Sequence, residues 1–490
     1  MNQTDQIKAF RNEPWRDELR KAIKVKERGA TPRVKMPELD PKYRITNNEE
    51  VNLGLSLQQA QCEATRCIDC PDPTCMQGCP VGIHIPTFVK NIERGEILQA
   101  AKTLKLTSAL PAVCGRVCPQ EKQCEAKCIY HKMGKEPVAI GHLERFAADY
   151  ERESGEIAIP EIPTRNGSKV AVVGSGPAGL AFAGDMAKLG YEVHVFEALH
   201  EIGGVLKYGI PEFRLPNSIV DVEIEVLRKM GVSFMTDCVV GRTISYDDLH
   251  EMKFDGIFVG SGAGLPNFMN IPGENLIGVM SSNEYLTRIN LMKAGEADSD
   301  TPVANGKNIA IIGGGNTAMD SVRTAKRMGA ERAMIVYRRT ESEMPARLEE
   351  IHHAKEEGIE FLTLSNPISY KGDEKGRVTS MLLQKMELGE PDASGRRSPR
   401  PIEGAVEELP VDVVVVSVGV SPNPLIPSSI PGLQVSRWGT VIVNQESMQS
   451  DVEDIFAGGD IVRGGATVIL AMGDGRRAAA SMDSYIKSKK

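Results

Sequence analysis

Residues 169–197 read KVAVVGSGPAGLAFAGDMAKLGYEVHVFE, and this stretch decides the fold of most of the chain. An apolar run at 170–173 predicts a buried strand, which is followed by three glycines at the spacing of a dinucleotide-binding loop: Gly174, Gly176 and Gly179. Such glycines permit a tight turn, let the backbone approach a pyrophosphate, and let the following helix pack closely on the strand. The amides at the start of that helix are donors for phosphate oxygens.

The same stretch ends in a second predicted strand, 192–196, which is followed by Glu197. An acidic side chain at this position accepts hydrogen bonds from ribose hydroxyl groups and repels a 2′-phosphate. A glycine loop with its strands, its helix and its acid is a much more specific signal than the glycines alone. We expect this unit to bind FAD.

A second unit of the same kind covers 307–339, KNIAIIGGGNTAMDSVRTAKRMGAERAMIVYRR. Its loop has small residues at the three positions that matter: Gly313, Gly315 and Ala318. Where the first unit has an acid, this unit has Arg338 and Arg339, and a guanidinium grips a phosphate as a planar fork. The second unit is therefore predicted to bind NADP(H). The alternative is NAD(H), with both arginines in a solvated loop.

A third glycine turn lies near the C-terminus, in 454–466, DIFAGGDIVRGGA. A short predicted strand ends there in Gly459 and Asp460, before a helix-like stretch at 466–486. Because a helix N-terminus that follows a strand favours phosphate binding, we expect this turn to face the first nucleotide. Gly459 and Asp460 are therefore predicted cofactor contacts.

Nine of the ten cysteines lie between Cys62 and Cys128, before both nucleotide units. They include two sets of four, Cys67-x2-Cys70-x4-Cys75-x3-Cys79 and Cys114-x3-Cys118-x5-Cys124-x3-Cys128. Two such sets, the first closing on Cys-Pro, are what two 4Fe–4S clusters require from one polypeptide. A disulfide scaffold and a zinc site are the alternatives. Disulfide scaffolds are short secreted domains, and zinc does not account for nine cysteines beside flavin motifs.

Composition and charge narrow the class of protein. The 490 residues have room for roughly two to four domains, with 41% hydrophobic and 25% charged residues as in ordinary globular proteins. A formal net charge of −8 argues against nucleic acid as a partner. The N-terminus lacks the apolar core of a signal peptide, and no apolar run approaches the roughly 18 residues that span a bilayer. We expect no membrane association and a cytoplasmic location.

These patterns predict an α/β fold with parallel sheets and an α-helical appendage. We expect residues 1–165 to form a helical domain with two 4Fe–4S clusters, beginning with a charged, exposed arm of about 50 residues. Two Rossmann-like domains follow. The FAD-binding domain is expected to consist of 166–290 and 411–490, with an NADP(H)-binding domain at 291–410 inserted between its halves.

Across nearly its whole length the chain resembles the small (β) subunit of NADPH-dependent glutamate synthase and its relatives. These include the large subunit of bifurcating NADH-dependent ferredoxin:NADP oxidoreductase and the N-terminal half of dihydropyrimidine dehydrogenase. The resemblance is carried by four stretches: 110–129 (LPAVCGRVCPQEKQCEAKCI), 203–217 (GGVLKYGIPEFRLPN), 336–347 (VYRRTESEMPAR) and 455–466 (IFAGGDIVRGGA). The second stretch is closer in wording to the stand-alone and bifurcating relatives, and its Gly204 is a predicted cofactor contact.

The resemblance implies how the cysteines are shared between the clusters. Family members bind one cluster through the first three cysteines and the last, which here are Cys67, Cys70, Cys75 and Cys128. They bind the other through the fourth cysteine, two later ones and one non-cysteine ligand, which here are Cys79, Cys118, Cys124 and Glu144. A relative has glutamine at the last position, so a solvent-facing helix glutamate is the alternative for Glu144. Counting cysteines alone would make Cys114 the ligand instead.

The combination of carriers predicts the function. NADPH delivers two electrons as hydride, iron–sulfur clusters accept one at a time, and FAD converts between the two. We therefore predict an NAD(P)H-dependent flavoprotein oxidoreductase that moves electrons between NADP(H), FAD and two 4Fe–4S clusters, to or from a partner subunit. Hydride transfer requires no side-chain acid or base, so no catalytic residue is predicted.

The partner is left open by the sequence. A flavin or iron–sulfur oxidoreductase would make a ferredoxin:NADP transhydrogenase of the bifurcating kind, and ferredoxin itself is a candidate partner. The alternatives are the small subunit proper of glutamate synthase, which feeds an amidotransferase subunit, and a non-catalytic scaffold or NADPH sensor. A disulfide reductase is excluded, because neither nucleotide unit has a Cys-x-x-Cys pair and Cys238 stands alone there.

Overall fold

The computed structural model of the protein describes residues 9–393 and 395–490. The N-terminal region is helical and surrounds the cysteine loops. Its helices include Pro14–Ala22, Val25–Arg28, Pro41–Arg44, Leu57–Thr65, Thr74–Gln77, Ile85–Glu93, Ile97–Lys105, Pro111–Val117, Ile129–Lys132 and Ile140–Ser154. Two short 3-10 turns, Gln120–Lys122 and Glu125–Lys127, lie between the later cysteines.

A first parallel sheet follows. Its strands are β1 (Lys169–Val173), β2 (Glu192–Phe196), β3 (Ser233–Met235), β4 (Gly256–Val259) and β15 (Ile455–Ala457). They are arranged in the order β15–β4–β1–β2–β3. The helices of this part are Pro177–Lys188, Val205–Tyr208, Asn217–Lys229, Tyr246–Glu251, Asp460–Arg463 and Val468–Lys489. The central strand β1 is apolar throughout its length after Lys169, as a parallel strand covered on both faces requires.

A second parallel sheet has the order β6–β13–β7–β8–β9, in which the strands are β6 (Val279–Ser281), β7 (Asn308–Ile312), β8 (Arg332–Tyr337), β9 (Glu360–Thr363) and β13 (Val413–Val416). Its helical segments are Ser282–Leu286, the π-turn Thr287–Leu291, Asn316–Arg327, the 3-10 turn Glu341–Glu343 and Leu348–Glu356. The outer strand β6 and the strand β13 pair within this sheet, although both lie outside the 291–410 range expected for the second nucleotide unit.

An antiparallel sheet, which the sequence analysis did not predict, extends from the second unit. It consists of β10 (Ser365–Gly372), β11 (Val378–Pro391) and β12 (Arg397–Pro410) in that order. The short strands β5 (Leu265–Pro266) and β14 (Val420–Ser421) pair antiparallel where the chain passes between the two parallel sheets. The short helix Leu425–Ser429 follows.

The N-terminal arm is packed against the protein, so the expectation of an exposed arm is wrong for its described part. Arg16, Arg28 and Arg44 are at most 2% exposed. Arg44 donates from Nε to Glu357 Oε1 at 2.8 Å and from Nη2 to the His353 carbonyl at 3.2 Å. These three arginines are buried because they meet carboxylates and carbonyl oxygens, while the other described residues of the arm are half-buried or exposed, and through Arg44 the arm contacts the second unit.

The predicted fold class is confirmed: a helical iron–sulfur region precedes two parallel α/β sheets. The bounds of the predicted strand 192–196 coincide with those of β2. Along the described residues, no helix has the combination of length and apolar character needed to pass through a membrane.

Candidate functional site

The first glycine loop follows β1 and is shaped by close backbone contacts. Gly174 has a φ of +98°, and a Cβ atom there would lie 2.7 Å from the Gly260 carbonyl oxygen. A Cβ on Gly179 would lie 2.0 Å from the Gly174 oxygen. At Gly176, by contrast, a Cβ would meet no atom within 4 Å. Two glycines are thus required by packing, and the third leaves open space at the start of the helix Pro177–Lys188, where a pyrophosphate can approach the amides.

Glu197 follows β2 at the same edge of the sheet and is 6% exposed. Its Oε2 accepts hydrogen bonds from the Ser175 N–H at 2.9 Å and the Ser175 hydroxyl at 2.6 Å. Its Oε1 accepts from the Leu199 N–H at 2.9 Å. The carboxylate is therefore fixed beside the glycine loop, and Oε1 has a second lone pair for a ribose hydroxyl.

Two other predicted residues approach the first loop from distant parts of the sequence. A Cβ on Gly204 would lie 3.0 Å from Cα of Gly176, and a Cβ on Gly459 would lie 3.0 Å from the Ala178 Cβ. Burial raises the pKa of the neighbouring Asp460 to about 6. The structure thus brings Gly204, Gly459 and Asp460 to the same site as the first loop.

Asp474 is a residue of this site that the sequence analysis missed. It is fully buried on the helix Val468–Lys489, and its Oδ2 accepts from the Gly459 N–H at 3.0 Å and from Arg463 Nε at 2.6 Å. Its Oδ1 accepts from Arg463 Nη2 and Arg477 Nη2 at 2.7 and 2.5 Å. The available signal was a lone acid in the small and apolar stretch 466–475, because a buried charge requires partners.

The second glycine loop follows β7 and has the same construction. Gly313 has a φ of +143°, and a Cβ there would lie 2.3 Å from the Ser417 carbonyl oxygen. Ala318 is fully buried against the sheet. A Cβ on Gly315 would meet only Pro345 Cγ, at 3.9 Å, so this position is open as Gly176 is.

A segment at 344–347 covers the second loop. The Ala346 N–H donates to the Gly314 carbonyl at 3.2 Å, and the Arg347 N–H donates to Asn316 Oδ1 at 2.9 Å. The loop that can hold a diphosphate is thus hydrogen-bonded directly to this segment.

Arg338 and Arg339 both follow β8, but their surroundings differ. Arg338 is exposed, and no described residue accepts a hydrogen bond from its guanidinium. Arg339 is 6% exposed and donates from Nε to the Arg397 carbonyl at 2.7 Å and from Nη2 to Asp392 Oδ2 at 2.6 Å. Arg338 is therefore available to a 2′-phosphate, whereas Arg339 holds the tip of the β11–β12 hairpin.

The four cysteines predicted to bind the first cluster, called the first set from here on, surround a pocket. Four thiols line it together with apolar side chains such as Val89 and Tyr130: Cys67, Cys70, Cys75 and Cys128. Burial raises the pKa of Cys70 to about 12, and the nearby Cys67 and Cys128 raise it further. Thiols in such surroundings stay protonated until a bound metal displaces their protons. The grouping of Cys128 with the three early cysteines is the one that the family resemblance implies.

The surroundings of the first set contain paired charges of both signs and reach the surface, since Asp69 and Asp72 line the same cleft as its arginines. The fully buried Lys90 donates from Nζ to the Cys67 carbonyl and to Glu93. Cys70 also lines a cleft of about 500 Å³ to which Arg11 and Arg20 of the N-terminal arm contribute. The first set therefore lies between the protein interior and this cleft.

The second set of predicted ligands is more deeply buried. Burial raises the pKa of Cys79 to about 12, and the nearby Glu144 and Cys118 add to this increase. Burial likewise raises the pKa of Cys124, which has Cys79, Glu144 and Cys118 as electrostatic neighbours. The structure thus brings together Cys79, Cys118, Cys124 and Glu144.

Glu144 is a buried carboxyl group, and in the part of the chain that the structure describes one of its oxygens has no hydrogen-bond partner. It is 5% exposed, and its Oε1 has no hydrogen-bond partner among the described residues. Burial, followed by the nearby Glu223, raises its pKa to about 8. The alternative of a solvent-facing glutamate is therefore wrong.

Cys114 lies beside the second set and has Cys118, Glu144 and Cys79 as electrostatic neighbours. It is fully buried, and its Sγ lies 3.5 Å from Met472 Sδ and 4.0 Å from Ser108 Oγ. A side-chain hydrogen bond with Cys118 is the largest cause of its raised pKa. Its thiol contacts the C-terminal helix, whereas Glu144 Oε1 has no hydrogen-bond partner among the described residues. Both groups lie where the fourth ligand of the second cluster is predicted.

The helix Val468–Lys489 connects the second set to the first glycine loop. A Cβ on Gly473 would lie 3.0 Å from the carbonyl oxygen of Pro80, the proline that follows the first run of cysteines. A Cβ on Gly475 would lie 2.3 Å from the Ala178 carbonyl oxygen, in the helix that the first loop opens. A single turn of this helix therefore contacts both sites.

Comparisons with known proteins match both parts of the chain. The family described as dihydropyrimidine dehydrogenase domain II, 4Fe-4S cluster, matches residues 44–156, and the pyridine nucleotide-disulphide oxidoreductase family matches 168–475. The glutamate synthase [NADPH] small chain of Azospirillum brasilense is 36% identical over 463 residues, which are 93% of this chain and 95% of that relative.

Two further proteins extend the comparison. The NADPH-Fe(3+) oxidoreductase subunit beta of Geobacter sulfurreducens is 34% identical over 450 residues, covering 87% of this chain and 65% of that relative. The solved structure of Mycobacterium tuberculosis FprA in complex with NADPH has a TM-score of 0.56 at 21% identity, over 66% of this chain and 85% of that chain. The likeness to FprA concerns the fold alone.

Proposed function

This chain belongs to the glutamate synthase small-chain family and is an electron-transferring flavoprotein oxidoreductase with an iron–sulfur domain, and from that premise we propose its route for electrons. Electrons pass between NADP(H) at the second glycine loop, FAD at the first loop, and two 4Fe–4S clusters, to or from a partner subunit. The observation that carries this proposal is the helix Val468–Lys489, which contacts both the first loop and the second cysteine set.

The residues present fit two clusters. Four cysteines around one pocket suit the first: Cys67, Cys70, Cys75 and Cys128. Three cysteines and a buried carboxylate oxygen without a partner suit the second: Cys79, Cys118, Cys124 and Glu144. Burial keeps the Glu144 carboxyl mostly protonated in the absence of a cation, and a bound iron would displace that proton, which supports Glu144 as an iron ligand.

The residues also fit two nucleotides. Gly176 and Gly315 each leave open the position where a Cβ would otherwise crowd a diphosphate. Glu197 offers its Oε1 to a ribose, and Arg338 offers an unengaged guanidinium to a 2′-phosphate. When bound, FAD supplies the conversion between two-electron and one-electron transfer. The chain itself binds, orients and excludes water from these groups.

We propose domain bounds that follow the sheets. The helical iron–sulfur domain covers 1–165, and the FAD-binding domain has its sheet in β1–β4 and β15. The NADP(H)-binding domain then extends from β6 to β13, because both strands pair in its sheet. It begins about a dozen residues before the predicted start at 291.

The partner is proposed from the names of relatives, which are subunits of larger enzymes. An amidotransferase subunit is favoured as one candidate partner, because this chain covers 95% of the Azospirillum glutamate synthase small chain. An oxidoreductase partner is favoured by the Geobacter β subunit. Cysteine ligands require a reducing compartment, which supports a cytoplasmic location. Anaerobic purification from the native host separates the partners: an amidotransferase would indicate glutamate synthase, and a flavin or iron–sulfur subunit would indicate a transhydrogenase.

Coenzyme choice is tested by a single variant, Arg338→Ala. Loss of a charge-assisted fork to the 2′-phosphate removes roughly 1.5–3 kcal/mol, so the NADPH Michaelis constant should rise about tenfold to a hundredfold. The NADH constant should stay nearly the same, because NADH has no 2′-phosphate. Arg332→Ala, on the same strand but paired with Glu360, is the matched control. Equal losses with both coenzymes would contradict the assignment.

The electron route is tested by adding NADPH anaerobically to the isolated chain. We expect paramagnetic signals of reduced iron–sulfur clusters to develop without any partner. Oxidation of NADPH by an artificial dye with no cluster reduction would contradict the route. Binding of NADPH without oxidation would instead favour a sensor or scaffold.

A further inference from the structure

The segment that covers the second glycine loop also contacts the loop between Cys118 and Cys124. Arg347 donates from Nη1 to the Arg116 carbonyl at 2.7 Å and from Nη2 to Gln120 Oε1 at 2.8 Å. Each acceptor lies two residues from Cys118, one before it and one after it. A single guanidinium therefore holds a backbone carbonyl before a predicted iron ligand and the Gln120 side chain after it.

Other bonds reinforce the same contact. Lys122 donates from Nζ to the Pro345 carbonyl at 2.8 Å and to the Ala346 carbonyl at 3.2 Å. The Leu348 N–H donates to Glu121 Oε1 at 3.3 Å. The cysteine loop and the nucleotide-loop cover are thus joined by several bonds that cross between the two units.

Gln120 also contacts the two helices next to the second set. Its Nε2 donates to the Gly115 carbonyl at 3.2 Å, in the helix that leads to Cys118. A Cβ on Gly141 would lie 2.2 Å from the same Nε2, and Gly141 is three residues before Glu144. The glutamine side chain is therefore wedged between the two helices that carry predicted ligands.

Arg347 is placed at some cost to stability. It is 4% exposed, and its Nε has no hydrogen-bond partner among the described residues. Glu349 Oε2 compensates its charge at 2.8 Å. A buried donor without a hydrogen bond is unfavourable by about 1–3 kcal/mol. The Arg347 Nε lies 3.8 Å from Glu121 Oε2 of the cysteine loop, so the guanidinium contacts its own unit through Glu349 and the cysteine loop through its other nitrogens.

We propose that Arg347 is a positioning residue that couples occupancy of the second nucleotide site to the redox potential of the second cluster. A diphosphate at the loop 313–316 would fix the segment 344–347, and Arg347 would transmit this to the backbone around Cys118. Hydrogen bonding and exposure at the ligands set a cluster's potential. The inference rests on the proposed function, since it requires both the cluster and the nucleotide.

The coupling is measured with 2′-phospho-ADP-ribose, which has the pyrophosphate and 2′-phosphate but no nicotinamide and so transfers no hydride. A redox titration of the anaerobic native protein, followed by paramagnetic resonance, is carried out with and without this probe. Because linkage is reciprocal, a tenfold preference of the probe for one oxidation state shifts the midpoint by about 59 mV for one electron. We expect a shift of about that size in one cluster and none in the other.

The variants isolate Arg347. In Arg347→Met and Arg347→Lys, which cannot bridge both acceptors, we expect the probe to bind within a few-fold of native affinity and the shift to be lost. The control Arg332→Met, in the same unit but away from the cysteines, should keep the full shift. A shift retained in both Arg347 variants, or absent from a native protein with about eight irons, would overturn the coupling alone. A native protein with about four irons would overturn the proposed function, and this inference with it.

Discussion

The two cysteine sets lie in one helical region but have opposite surroundings. The first set borders a surface cleft and has the buried ammonium of Lys90 at the Cys67 carbonyl. The second set has a buried carboxylate without a partner, Glu144, and lies against the helix Val468–Lys489. From this difference we propose an order of transfer: the second cluster exchanges electrons with the flavin, and the first cluster exchanges them at the surface.

The charges support the same order. Reduction adds one negative charge to a cluster, which a nearby ammonium stabilises and nearby carboxylates disfavour. Burial raises the pKa of Glu223, a neighbour of Glu144, to about 7, and it also raises the pKa of Cys70 in the first set to about 12, so both regions disfavour negative charge. The buried ammonium of Lys90, which is paired with Glu93, distinguishes the first set, and from it we infer that the first cluster has the higher potential. Electrons would run downhill from the flavin through the second cluster to the cleft.

The largest expected effect comes from removing one cluster at a time. Cys124→Ala should abolish reduction of the first cluster by NADPH, because the second cluster lies between it and the flavin. Cys70→Ala should remove the first cluster and leave the second reducible. Rapid mixing with NADPH and paramagnetic resonance measures both. Reduction of the first cluster at native speed in Cys124→Ala would break the proposed order.

A change of ligand charge should move one potential. Glu144→Gln removes a negative charge while keeping a side chain that a relative uses, so the second midpoint should rise by at least about 60 mV, a tenfold change for one electron. The first midpoint should not move. Titrations in which both midpoints match the native values would remove Glu144 from the ligands.

A change at Lys90 should act on the other cluster. Lys90→Met removes the buried cation beside Cys67, and we expect the first midpoint to fall by roughly 30–60 mV, since the added electron loses its compensation. Lys102→Met, an exposed lysine of the same region, is the control and should leave both midpoints unchanged. A shift of the second midpoint instead would reverse the assigned surroundings.

The smallest effect is expected at Cys114. Cys114→Ala removes the contact with Met472, so the free energy of unfolding should fall by about 1 kcal/mol. Iron content and both midpoints should stay at native values. Loss of about four irons would favour Cys114 over Glu144 as the ligand.

The sequence predicted most of the fold because its signals are local. Glycine spacing and apolar runs determine the strand–loop–helix units, and β2 has the predicted bounds. The segments β6 and β13 escaped the predicted domain bounds because strand pairing is a long-range property. The antiparallel β10–β12 sheet gave no glycine signal and was not predicted.

The sequence likewise predicted the main residues of the candidate site but not their tertiary partners. Both loops and the cysteine groups follow from motifs and family resemblance. The partners that connect them do not: Asp474 stands out as a lone acid in an apolar stretch, but its partners, like the role of Arg347, are recognisable only through tertiary contacts. The difference between Arg338 and Arg339 likewise depends on the hairpin tip that engages Arg339.

The existence of two separate clusters is tested most directly by measuring iron and acid-labile sulfide per chain in anaerobically purified protein. We expect about eight of each in the native protein and about four of each in Cys75→Ala, with the second cluster retained. About four irons in the native protein, or zinc in place of iron, would contradict the account.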